Sequence, residues 1–254
     1  MPRYERSRTV FAALLLCASL SAPVLAADGA VASRPATYST IVIGFAGGFV
    51  RHDNPYHGPV KLSQNIRKDL PKGAYVQVFE NRHRKAAYKK ILNLLDRDHD
   101  GVLTDEEKAA ARIILFGHSW GAAAAVVLAR ELDRIGVPVL LTVQVDSVAK
   151  FWQSDAVIPD NVAAAANFYQ PHGLIHGRPE IRAADASKTQ ILGNYRYDYR
   201  QTPVCCEGTS WFERNITPSH MQSQCDPHLW SQVETLVRER MQPDLGVAAA
   251  APQP

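Results

Sequence analysis

The sequence predicts an α/β fold, a mostly parallel sheet with helices on both faces in three layers. Three observations predict it. Between Thr40 and Val145 short β-rich runs alternate with stretches of helical periodicity, the pattern of strands joined through helices. The gaps between runs leave room for a helical crossover, which parallel neighbours require. The chain has 254 residues, 46% apolar and 21% charged, so it can bury one full core and is neither a coiled coil nor a disordered chain.

The elements follow in order. Arg3, Arg6 and Arg8 precede an apolar run from Val10 to Leu20, and Val24-Leu25-Ala26 follows, so residues 1–26 are expected to be a cleaved secretory signal. The run is too short to span a bilayer, so no stable membrane anchor is expected. Residues 27–37 are small and polar, a linker, and the folded domain is expected over 38–241. Within it, strands are expected over 40–45, 74–79, 113–116 and 139–145, with helices over 60–69, 84–95 and 122–135. Past Val145 the pattern gives two further strands, 162–169 and 190–197. A closing helix over 226–241 places Leu229, Trp230, Val233 and Val237 on one side. Residues 242–254 form an Ala/Pro tail without a core-forming pattern, and there is no internal repeat.

Removing the signal lowers the formal charge from +3 to about +1, which does not suggest a nucleic-acid partner. Cys17 falls in the signal, leaving Cys205, Cys206 and Cys225. Export to an oxidising compartment, periplasmic or extracellular, favours one disulfide and one leftover thiol. A bridge from Cys225 to either Cys205 or Cys206 closes a loop of about twenty residues.

Chemistry is concentrated in "IILFGHSWGAAAAVVLAREL", Ile113 to Leu132. Gly117 and Gly121 flank Ser119 where an apolar strand gives way to an alanine-rich helix, so both backbones can approach closely and the hydroxyl is lifted out of the sheet. Gly117-His118-Ser119-Trp120-Gly121 resembles the nucleophile elbow of the α/β-hydrolase superfamily, and the strand-helix order from Thr40 to Val145 is similar to the core of that fold. The resemblance covers roughly residues 40–241.

It implies a triad in the chain order serine, acid, histidine. Asp146 fits the acid, because it ends the strand "VLLTVQV" at the carboxyl edge of a parallel sheet, where sites form. Asp185 and Asp198, in later loops, are the fallback acids. His220 fits the base, placed in the loop before the last helix. His118 is inside the elbow, and His172, His176 and His228 lack such a placement. The nascent oxyanion needs backbone donors: Trp120 follows the nucleophile, and the glycine-bearing loop of "IVIGFAGGFV" offers Ala46, with Phe45 next.

A second motif, "DRDHDGVLTDEE", matches a twelve-residue EF-hand loop inserted at 96–107. Calcium ligands are expected from Asp96, Asp98, Asp100, the Val102 carbonyl, Thr104 and a bidentate Glu107, with Gly101 at the sharp turn. The ion is expected to be structural, and the triad needs no cofactor. The leading expectation is an exported serine hydrolase acting on a small or exposed carboxylic ester. A thioesterase or amidase with the same triad is the nearest alternative, and a calcium-dependent cell-surface binding protein on a dead hydrolase scaffold represents another class.

Overall fold

A run such as Thr40–Ala46, TIVIGFA, has no polar face, so it is stable only with both sides of its sheet covered. In the computed structural model it is β1, the second strand of a six-stranded sheet. The structure describes residues 40–151, 153–208, 211, 215 and 217–242. The expected signal (1–26), the linker (27–37) and the tail beyond 242 lie outside them. The described residues belong to one compact unit, and none of their helices is long and apolar enough to cross a membrane.

The elements are β1 (Thr40–Ala46), α1 (Gly58–Lys68), β2 (Ala74–Glu80), α2 (Arg84–Leu95), α3 (Asp105–Ala109), β3 (Ile113–His118), α4 (Trp120–Asp133), β4 (Val139–Val145), β5 (Val157–Ile158), β6 (Val162–Tyr169), β7 (Arg182–Ala183), β8 (Gln190–Arg196), α5 (Pro218–Cys225) and α6 (Pro227–Met241). The large sheet runs β2-β1-β3-β4-β6-β8, and β5 pairs with β7 separately. Every pairing is parallel. Strand order reverses beside β1, so the chain diverges between the carboxyl ends of β1 and β3 and leaves a crevice there.

Alternate residues of each strand feed two cores. Ile41, Ile43, Ile113 and Leu115 pack with Ala87 and Ile91 of α2 and with Ala125, Leu128 and Leu132 of α4. Val42, Ile114, Phe116 and Val143 pack with Leu62 and Ile66 of α1 and with Leu229, Val233 and Val237 of α6. This is the three-layer α/β arrangement. Each large side chain so buried stabilises the fold by about 1.5–3 kcal/mol.

Several boundaries differ from the sequence reading for local reasons. Helix α1 begins at Gly58 because Pro59 is preorganised for a first turn. Helix α4 begins at Trp120, straight after the reversal at Ser119, and ends before Gly136, whose φ of 73° closes it. The segment before the last helix is itself helical: α5 starts on Pro218 and ends one residue before Asp226, whose carboxylate caps α6 through His228 N and Leu229 N. Cys206 is bonded to Cys225 with a Cα–Cα distance of 5.7 Å, and Cys205 is an exposed thiol.

Candidate active site

At the end of β3 the backbone of Ser119 turns to φ 56°, ψ −126°. A non-glycine residue holds this region at a cost of about 1–3 kcal/mol, offset by its surroundings. Here the Ser119 N–H donates to Val145 O at 2.9 Å, anchoring the turn to β4. A Cβ on Gly117 would lie 2.5 Å from the Gly121 carbonyl carbon. One on Gly121 would strike the carbonyls of Phe45 and Ala46 at the end of β1. Both glycines are therefore required by backbone approach, and together they seat the α4 N-terminus beneath the serine.

Asp146 follows β4 in a second left-handed turn, φ 44°, fully buried. His220 projects from α5 and lies between the two. Its Nδ1 is 2.7 Å from Asp146 Oδ2 and its Nε2 is 3.0 Å from Ser119 Oγ. Nδ1 has only a carboxylate oxygen to meet, so it carries the proton, and Nε2 presents a lone pair to the serine. The three side chains form one continuous hydrogen-bonded line.

Five further residues complete the surroundings, and of these only His118 lies in a motif. Gln170, after β6, donates its amide to Asp146 Oδ2 at 3.0 Å and its backbone N–H to Oδ1 at 3.3 Å. Gly177 N–H also donates to Oδ1. A buried charge so surrounded has the hydrogen bonds that burial demands. Ser223 Oγ, one turn after His220, donates to His220 O at 2.7 Å, and lies 3.3 Å from Asp146 Oδ2 and 3.1 Å from His118 Nε2. The His118 ring lies tilted by 31° against that of His220 with centroids 4.8 Å apart, and His57 meets His118 edge-on at 5.4 Å. Desolvation, reinforced by His220, lowers the pKa of His57 to about 3 and holds His118 well below the ordinary value of 6.5. Both are neutral neighbours of the base.

Phe45 and Ala46 are fully buried within β1. The wall nearest Ser119 comes from the next residues, Gly47 and Gly48. A Cβ on Gly47 would fall 3.0 Å from Ser119 Cβ, so only glycine lets that backbone lie against the nucleophile. The Trp120 N–H belongs to the first turn of α4, where no intrahelical carbonyl reaches it. Asp185 is bound in its own turn by Ser187, and Asp198 pairs with His172 and Arg196. Neither is among the partners of His220. His228 lies in the first turn of α6, and His176 bonds only its neighbour's carbonyl among the described residues.

The acidic loop joins α2 to α3. Carboxylate oxygens of Asp96, Asp98 and Glu107 lie within 4.8 Å of one another, about the diameter of a shell with Ca–O distances of roughly 2.3–2.6 Å. Asp96 Oδ1 is buried without a partner, and Gly101 makes the turn at φ 82°. Glu107 accepts from Arg97 N at 2.6 Å and from Thr104 N and Oγ1, which hold its carboxyl below the ordinary range. Asp100 accepts from Val102 N, Val102 is exposed, and the Thr104 hydroxyl serves the α3 capping box. The donor set fits a hard oxygen-seeking cation. His118, Asp146 and His220 are also close enough to share an ion, but Asp146 Oδ2 already accepts from His220 Nδ1 and Gln170 Nε2.

No protein-family model matches the chain, and no curated protein matches it. Among solved structures it is similar to RedJ, a thioesterase from the prodiginine biosynthetic pathway in Streptomyces coelicolor: 12% identity over 79% of this chain and 87% of that one, TM-score 0.44. It is similar to a dienelactone hydrolase from Anabaena variabilis, 13% identical over 81% and 86% of the two chains, TM-score 0.42. A cutinase-like protein from Cryptococcus sp. is 13% identical over 82% and 97%, TM-score 0.40. At such values function is read from the side chains of the site and not from the likeness.

Proposed function

We propose that this protein is an exported serine hydrolase of the α/β-hydrolase kind, cleaving carboxylic esters through an acyl-enzyme on Ser119. The observation that carries the reading is the line Asp146–His220–Ser119, with separations of 2.7 and 3.0 Å at buried side chains. A serine hydroxyl is a weak nucleophile until a base takes its proton as it attacks. His220 Nε2 receives that proton while Oγ bonds to the ester carbon. The carbonyl oxygen gains negative charge facing the N–H of Trp120 and a second backbone donor from the end of β1, with Ala46 the expected one and Phe45 next. His220 then returns the proton to the leaving alkoxide, freeing the alcohol. In the second half His220 deprotonates a water, which attacks the acyl-serine and releases the carboxylic acid and Ser119. Asp146 fixes the tautomer and orientation of His220 throughout and stabilises the transient imidazolium.

Calcium is the structural ion of this reading: Asp96, Asp98 and Glu107, together with Asp100, the Val102 carbonyl and Thr104, would hold it. When bound, it would supply positive charge that draws the crossover from α2 to β3 together, and it would take no part in acyl transfer. The Cys206–Cys225 bridge is the feature that favours an exported chain.

A fluorophosphonate probe tests the reading. It is expected to add once, on Ser119, and to leave Ser119→Ala unmodified. A folded wild-type protein that stays unlabelled contradicts the reading and favours a binding protein on the same scaffold.

A further inference from the structure

The cleft above Ser119 is large, about 910 Å³, towards the upper end of the roughly 300–1,000 Å³ typical of small-molecule sites. Its walls are mostly apolar. Phe49 and Tyr56 come from the segment after β1, Trp120 from α4, Val148 from the segment after β4, Ile175 from the segment after β6, and Met221 from α5. Phe49 is 81% exposed, yet its ring is fixed edge-on against Trp120 with centroids 5.5 Å apart. Leu174, next to Ile175, is also exposed. Apolar surface on separate loops around one opening marks a binding surface.

The charges of the cleft point the same way. Among the described residues, its only Arg, Lys, Asp or Glu side chains are Arg51 and Asp53, and these bind each other through two hydrogen bonds of 3.0 and 2.9 Å. Lys150, whose Nζ lies over the Trp120 ring, donates to Asn81 Oδ1. The described residues of the cleft therefore offer neither a free cation for a phosphate or carboxylate nor a free anion for an amine. An uncharged group that gains by leaving water is what such walls recognise.

We propose that the acyl part of the substrate is an uncharged, unbranched or lightly branched hydrocarbon chain of medium to long length. Its carbonyl lies at Ser119 and its chain along Phe49, Tyr56, Ile175 and Met221. This rests on the hydrolase reading and narrows it, because each methylene withdrawn from water strengthens binding whereas an acetyl group leaves most of the cleft unused.

The test is a panel of nitrophenyl esters, acetate, butyrate, octanoate and dodecanoate, beside a nitrophenyl ester of a dicarboxylic acid and fluorophosphonate labelling of the same preparation. Octanoate is expected to exceed acetate in kcat/KM by at least about tenfold, and the anionic ester to be the poorest. Phe49→Asp and Ile175→Asp, both at solvent-reachable positions, are each expected to lower the octanoate-to-acetate ratio by about tenfold. Labelled enzyme that prefers acetate, shows no chain-length dependence or prefers the anionic ester overturns the inference while leaving the hydrolase reading intact. Ratios unchanged in both variants overturn it as well. Absence of both labelling and turnover overturns the hydrolase reading, and this inference with it.

Discussion

In the proposed reading His220 activates Ser119 while Asp146 holds its other nitrogen, so these three residues are expected to act as a unit. Ser119→Ala and His220→Ala should each lower kcat by roughly 10⁴-fold or more, and the double variant should be scarcely slower than either. Losses that multiply in the double variant would contradict the shared role. Asp146→Asn should be severe but milder, since the proton on Nδ1 loses its acceptor while the nucleophile remains. Ser223 separates positioning from chemistry. Its hydroxyl joins His118, Asp146 and the His220 carbonyl, and Ser223→Ala removes about one net hydrogen bond, about 1 kcal/mol. A loss of kcat of about three- to tenfold with KM little changed is expected, and a loss as deep as that of Ser119→Ala would place Ser223 in the chemistry itself.

At the scale of elements, two tethers hold the site. The Cys206–Cys225 bridge ends on the last residue of α5, the helix that carries His220. For a loop of this length a disulfide contributes about 3 kcal/mol. Replacing Cys206 and Cys225 together by serine should lower the melting temperature and slow turnover, whereas Cys205→Ser should do neither. Thermal melts and rates below the transition check this. The acidic loop is the second tether, since it leads through α3 into β3. At a calcium concentration a hundredfold above the dissociation constant, an ion bound there as proposed would add about 2.7 kcal/mol. The melting temperature should therefore fall on chelation, and Asp96→Ala or Glu107→Gln should remove the difference. Identical melts with calcium and with chelator would show that the loop holds no ion.

These elements also show what a sequence can disclose. Strands β1 to β4 were legible because each is an apolar run bounded by helical periodicity. Ser119 was legible because two glycines mark it, and Asp146 because it ends a strand. Helix α5 was not, because eight residues of mixed polarity carry no amphipathic pattern. Gln170, Ser223 and His57 were invisible for another reason: their roles depend on partners brought close only by the fold. The close approach of Gly47 to Ser119 required the structure too, since two adjacent glycines do not reveal which of them lies against the serine.

For the whole molecule, two buried neutral histidines tie stability to pH. Unfolded, each takes a proton near 6.5, whereas in the fold His57 does so only at about 3 and His118 is likewise depressed. Below pH 6.5 the unfolded chain binds more protons than the native one, so acid favours unfolding. The contribution is whole above that pH and declines by about 1.4 kcal/mol per pH unit for each group until the native group protonates. Between pH 7 and 5 the wild type should lose more stability than His57→Phe, which keeps a ring and removes one such proton site. Equal losses in the two proteins would mean that His57 is not held neutral by the fold.

The measurement closest to the central claim is the mass of the enzyme caught during turnover. With a slowly deacylating ester, quenched in acid and digested, the acyl mass is expected on the peptide bearing Ser119, to accumulate faster than it decays, and to be absent from Ser119→Ala. Turnover that proceeds with no acyl group on Ser119, or with the group on the exposed Cys205 thiol instead, would contradict it.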